Sequence, residues 1–125
     1  MPFGLTNAPA TFQALIQDTL RDILNISCIV YLNDILIFSQ PEQDHDNMVR
    51  DVFKCLRSAR LFANAKKCKF DKSSVEYLGF IISSKGVQMN LKKLETITNW
   101  PIPKTVKQIQ SFLGFTNFYR RFIHH

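Results

Sequence analysis

The sequence predicts an α+β fold: an antiparallel sheet with a hairpin and packed helices, followed by a small helical segment. Three observations lead there. Apolar residues recur with helical period over positions 12–23, two β-rich runs lie two residues apart before position 39, and helical patterns flank a Trp-Pro-Ile-Pro stop at 100–103. The chain has 125 residues, 46% hydrophobic and 21% charged, which suits one globular domain and excludes a disordered tail.

The elements follow in order. Residues 8–24 read as a helix, because Phe12, Leu15, Ile16, Thr19, Leu20 and Ile23 share one face, with Asn7 as cap and Pro9 in the first turn. Residues 26–32 and 35–38 read as strands of a tight hairpin turning at Asn33-Asp34, two residues that tolerate positive φ. Ser39 and Glu42 form a capping-box pattern around Pro41, opening a helix to about Ala59 with Met48, Val49, Val52, Leu56 and Ala59 on its stripe. Residues 66–70 and 75–83 read as strands, and Lys85-Gly86 turns into Val87–Met89. Asn90 caps a helix to Asn99, and Thr105 caps a last helix to about Ile123. The composition contains no internal repeat.

Charge is divided unequally. The net +6 comprises −2 over residues 1–60 and +8 over residues 61–125, so the basic half suits either a polyanion partner or a solvated lysine surface. Three cysteines, Cys28, Cys55 and Cys68, form no CxxC pair, which argues against a disulfide framework or zinc site and favours reduced thiols in an intracellular setting, cytoplasm or nucleus. No apolar run approaches the roughly 20 residues of a membrane span, and no secretory leader pattern opens the chain.

The last helix carries a pattern of its own. Lys107, Gln110, Gly114, Asn117 and Arg121 fall within an arc of roughly 80°, opposite most of Ile109, Phe112, Phe115, Thr116, Tyr119, Phe122 and Ile123. A stripe of cations and amides around a glycine can follow a nucleic-acid groove, the glycine allowing close approach; an ordinary solvent face is the plain alternative. A mid-helix glycine costs about 1 kcal/mol and wants a reason. Asp44, His45 and Asp46 are consecutive on a helix and point apart, so they read as a solvated first turn and not as metal ligands. His124 and His125 receive no role.

Five ordered segments, MPFGLTNAPATFQ, YLNDILIFS, NAKKCKF, VEYLGFIIS and NWPIPKTVKQIQSFLGFTNFYRRFI, closely resemble consecutive pieces of the reverse transcriptase of Gypsy-type LTR retrotransposons. The resemblance implies that residues 1–90 are a partial polymerase palm and residues 91–125 the base of the thumb, with the fingers and the first palm strand, bearing one catalytic aspartate, outside this chain. It implies an RNA-directed DNA polymerase using Mg2+ on an RNA/DNA primer–template duplex. Pro2, Phe3, Gly4, Gln13 and Tyr31 then match nucleotide-contacting positions, Phe3 offering an aromatic face to the incoming sugar. A plain turn into a helix also explains Pro2-Phe3-Gly4.

Tyr31-Leu32-Asn33-Asp34 resembles the family's Tyr-x-Asp-Asp. Two-metal polymerisation wants several carboxylate oxygens, and an amide brings no charge. Asn33 at the first Asp position therefore reads as loss of chemistry with the turn preserved, leaving Asp34 as a weak metal ligand and no tightly held Mg2+. Lys66 or Lys67 matches the lysine offered to pyrophosphate, or else ends a solvated strand. Leu78-Gly79 matches the primer grip, with Gly79 marking either close backbone approach or a bulge. Gln110, Gly114 and Phe118 match the thumb's minor-groove track.

Three functional readings stay open at this point: a polymerase domain whose activity belongs to a longer parent, a non-catalytic nucleic-acid-binding module, and a repurposed remnant acting through protein contacts. A homodimer through the hairpin's exposed apolar edge is also expected, because the strand that would pair with it in the family lies outside this chain.

Overall fold

The computed structural model describes residues 4, 6–40 and 42–122; Pro2, Phe3, Pro41 and Ile123 lie outside the described residues. The element order is α1 (Ala8–Thr19), β1 (Cys28–Tyr31), β2 (Asp34–Ile37), α2 (His45–Ser58), β3 (Ser74–Tyr77), β4 (Phe80–Ser83), β5 (Gly86–Met89), α3 (Leu91–Thr98) and α4 (Val106–Phe118), an α+β fold. Two compact units divide the chain, residues 1–68 and 69–125.

In the first unit β1 and β2 pair antiparallel, Cys28 opposite Ile37 and Tyr31 opposite Asp34. Alternation along a strand gives the hairpin two unlike faces. Cys28 and Val30 turn into a core with Ile16 and Leu20 of the N-terminal segment and Val52 and Leu56 of α2, and Ile35 and Ile37 pack against it. Ile29 and Tyr31 point the other way and are exposed. Leu15, on the expected apolar stripe of α1, is also exposed, while Ile16 and Leu20 of that stripe are buried and Phe12 and Ile23 partly so.

Several boundaries differ from expectation. The first helix stops at Thr19, not near 24, because the chain tightens through Leu20 and reverses at Asn25, whose φ of 62° lies in the left-handed region. The cap of α2 is Asp44, accepting from the Asn47 N–H, so the helix starts later than the Ser39–Glu42 pattern suggested. Ser39 Oγ instead lies 3.1 Å from His45 Nδ1. Residues 66–70 form no strand: Asn64 caps a short 3-10 turn over Ala65–Lys67.

In the second unit β3, β4 and β5 form an antiparallel meander. The run read as one strand over 75–83 is two, because Tyr77 pairs with Phe80 across a Leu78-Gly79 turn. Asn90 caps α3 through the Lys92 N–H, as its sequence position suggested. Thr105 and Gln108 close a reciprocal capping box on α4, which ends at Phe118 before a 3-10 turn, Arg120–Phe122.

The second unit is held by a column of rings. Trp100 packs edge-on to Phe112 and tilted against Phe115, at 5.7 and 5.3 Å between centroids. Phe115 meets Tyr119, and Tyr119 meets Phe80 and Phe118 edge-on. Phe80 also stacks on Phe118 and leans on Phe122. Such offset and edge-on arrangements are the favoured aromatic geometries.

Candidate nucleic-acid interface

The hairpin tip in the first unit holds the residues that resemble the catalytic tetrad. Its two-residue loop is Leu32-Asn33, not Asn33-Asp34, because Tyr31 pairs with Asp34. The positive φ, 49°, falls on Leu32, and Asn33 has none. The turn therefore gives no reason for asparagine at position 33, contrary to the sequence reading. Leucine in the left-handed region is unusual and costs about 1–2 kcal/mol, so neighbouring structure must hold it there.

Gln13 of α1 does so. Its Oε1 accepts from the Leu32 N–H at 2.6 Å, and its Nε2 donates to the Val30 carbonyl at 3.4 Å. Both ends of one half-buried amide thus grip the hairpin backbone on either side of Tyr31. The resemblance gives Gln13 a nucleotide contact; in the fold its amide holds the hairpin backbone. The only signal was a polar residue beside the buried stripe of α1.

Tyr31 and Asp34 share the outward face of the hairpin, and Asn33 is exposed beside them. Gly4 is exposed with φ 96°. Lys66 and Lys67 lie exposed on the 3-10 turn of the same unit. Among the described residues no three His, Cys, Asp or Glu side chains gather where they could hold a metal. One carboxylate with an adjacent amide does not fit a two-ion site, which needs several carboxylate oxygens. Burial raises the Cys28 thiol above its ordinary pKa, and Cys55 nearby adds to the shift. All three cysteines are free thiols.

In the second unit Lys107, Gln110, Gly114 and Asn117 are all exposed on α4. Arg121 lies beyond the end of α4 on the 3-10 turn, and its side chain is outside the described set. Phe118 keeps 56% of its surface open while stacking on Phe80. A Cβ at Gly114 would meet nothing within 4 Å. The fold itself thus places no demand for glycine there.

Leu78 and Gly79 form the β3–β4 tip, with φ of 52° and 84°. Positive φ at both positions is the pattern of a type I′ turn, for which Asn-Gly is the favoured pair. The alternative of a bulge at Gly79 is excluded by the regular Tyr77–Phe80 pairing. A Cβ on Gly79 would also lie 3.3 Å from the Tyr119 hydroxyl oxygen. The tip and α4 are therefore joined through Tyr119 and Phe80, whose side chains meet edge-on.

Comparison with known proteins places this α+β arrangement and its Tyr31–Asp34 hairpin in one family. Residues 1–82 match the family described as reverse transcriptase (RNA-dependent DNA polymerase). The Pol polyprotein of transposon 297 from Drosophila melanogaster is 46% identical over 123 residues, 98% of this chain and 12% of the relative. That of transposon gypsy from the same fly is 42% identical over the same share of each. The Tf2-3 transposon polyprotein of Schizosaccharomyces pombe is 37% identical over 98% of the chain and 9% of its own length. The foamy viral protease–reverse transcriptase, solved with dsDNA, superposes with a TM-score of 0.81 at 33% identity over 96% of this chain and 25% of that one. Its structure with an RNA/DNA hybrid gives 0.78 at 33% identity, over 96% and 16%.

The chain belongs to the reverse transcriptase family, in the Gypsy-type lineage of retrotransposons. It spans about an eighth of the fly polyproteins it matches.

Proposed function

We propose that this chain is a duplex-binding part of a Gypsy-type reverse transcriptase, palm over residues 1–90 and thumb base over 91–125, that holds primer–template without adding nucleotides by itself. Gly114 carries the reading. It sits exposed in the middle of α4, at positive cost to the helix, where no neighbour in the protein excludes a side chain. A partner backbone passing close to the helix supplies the missing reason. Leu78 supports it in the same way, since a half-exposed leucine occupies a left-handed turn position that asparagine fills more cheaply. Residues that break a local rule without internal compensation gather at functional sites.

The chemistry points away from catalysis by the chain alone. Asp34 is the one carboxylate of the tetrad, and Asn33 cannot replace the charge of a second. Mg2+ is accordingly not held tightly here. Lys107, Gln110, Asn117 and Arg121 serve phosphate and groove contacts, with little sequence preference. Lys66 and Lys67 remain exposed cations suited to phosphate. An intracellular site of action, where nucleic acid is found, fits this reading.

The test is a salt titration of binding to a DNA duplex and an RNA/DNA hybrid, together with primer extension. Affinity for both that falls with salt, without extension, is the expected result. Absence of binding at low salt overturns it.

One observation favours a second property. Ile29 and Tyr31 leave the outward face of the hairpin open, 41% and 54% exposed. Its core face is covered by helices, so self-association would use the outward face and not the whole hairpin.

A further inference from the structure

The second unit contains a buried residue to which the duplex-binding reading gives no role. Tyr119 is 4% exposed, the only hydrophobic side chain of that unit buried to this degree among the described residues. It stands just past the end of α4 as its C-cap. Its ring meets Phe115 and Phe118 on the helix side and Phe80 on the sheet side, at 5.8, 4.9 and 5.9 Å. Phe80 is the residue immediately after the Leu78-Gly79 tip, paired back to Tyr77. The Tyr119 hydroxyl reaches the tip itself, 3.3 Å from where a Gly79 side chain would begin.

Tyr119 is therefore seated between two exposed elements made by distant parts of the sequence. One is the strained Leu78-Gly79 turn and the other the Gly114–Phe118 face of α4. A two-residue turn with both φ positive and a leucine at its first position is not held by its own preferences. What fixes its direction is the packing beside it: Phe80, with Phe118, Tyr119 and Phe122 against its ring, and the Tyr119 hydroxyl next to Gly79.

We infer that Tyr119 is a positioning residue: it locks the Leu78-Gly79 tip to α4, so that the two present one rigid surface to a nucleic-acid backbone. The inference rests on the duplex-binding reading for its ligand. Phe118 also joins α4 to Phe80 by stacking, and Tyr119 adds the buried link whose hydroxyl reaches the tip itself. Tyr119 touches no phosphate, so its loss weakens binding without changing the number of charges involved.

The experiment uses the 125-residue chain and a short blunt DNA duplex. Tyr119→Leu is expected to lower affinity on the order of threefold to tenfold, with an unchanged dependence of log affinity on log salt. Leu78→Ala weakens binding in the wild-type background and adds little in the Tyr119→Leu background, because the tip is already unlocked. Tyr119→Phe keeps the rings and retains affinity to within about twofold. Wild-type affinity in folded Tyr119→Leu, or losses that simply multiply, overturns the inference.

Hydrogen exchange of the Gly79 and Phe80 amides separates this outcome from failure of the duplex reading. Faster exchange at these amides in Tyr119→Leu, with the α3 amides unchanged, shows the lock even if no duplex binds; unchanged exchange rejects it. Should Tyr119→Leu fail to fold, Tyr119→Met decides: it removes the ring but keeps apolar bulk, so it must speed exchange at the Gly79 and Phe80 amides more than Tyr119→Phe does, and equal effects of the two reject the lock.

Discussion

The side-chain oxygen of Gln13 accepts a 2.6 Å hydrogen bond from the backbone N–H of Leu32, nineteen residues on, at the one left-handed position of the hairpin tip. A helix side chain thus fixes the turn on which the tetrad stands. Its amide nitrogen reaches the Val30 carbonyl as well, so neither half can be exchanged for an apolar group without loss.

Gln13→Ala should cost about 1 kcal/mol or somewhat more, since the Leu32 N–H loses its partner in a half-buried setting. Chemical denaturation gives the magnitude. Selective acceleration of Leu32 amide exchange locates it; an unchanged Leu32 amide would contradict the brace.

Gly114→Ala should move two measurements in opposite directions. Helix propensity favours alanine by about 0.5–1 kcal/mol, and the added Cβ meets nothing. Thermal stability of the unit should rise while duplex affinity falls. A rise in both would return the glycine to an ordinary solvent face.

Leu78→Asn should behave alike for a different reason. Asparagine accepts the left-handed φ that leucine resists, stabilising the hairpin by roughly 0.5–1 kcal/mol. The apolar contact to a passing backbone is lost, so binding weakens. If Leu78→Asn destabilises the fold, its side chain is needed for packing instead.

Primer extension with Mg2+ or Mn2+ should yield no templated incorporation by the chain alone, and Asn33→Asp should not rescue it. Restoring one carboxylate leaves the tip short of the several oxygens that two ions require. Because the positive φ belongs to Leu32, Asn33→Asp should also leave stability within about 0.5 kcal/mol. Extension by either protein ends this part of the proposal.

Light scattering over about a hundredfold dilution should show species heavier than the 14.5 kDa chain at the concentrated end. Ile29→Lys, on the outward hairpin face, should restore the monomer mass. A constant monomer mass for the wild type would exclude self-association.

The class of fold and the hairpin were legible because period and turn chemistry speak locally. The stripe through Ile16 and Leu20 and the caps at Asn90 and Thr105 needed no distant partner to be read. What failed was decided elsewhere. Ser39 and Glu42 spell a capping box, yet Asp44 caps the helix, since the same chemistry recurs five residues on. The loop shifted by one because pairing of Tyr31 with Asp34 outweighs the preference of asparagine and aspartate for turns. Gln13 and Tyr119 were invisible as positioning residues, because each acts on backbone far away in sequence, which periodicity does not report.

The aromatic column has a spectroscopic consequence. The chain has one tryptophan, Trp100, and it sits in the second unit against Phe112 and Phe115. Its emission therefore watches that unit alone, while helix ellipticity sums over both. A denaturant series in which the two signals part company would reveal two melting units in one small chain, and the single indole would say which of them let go first.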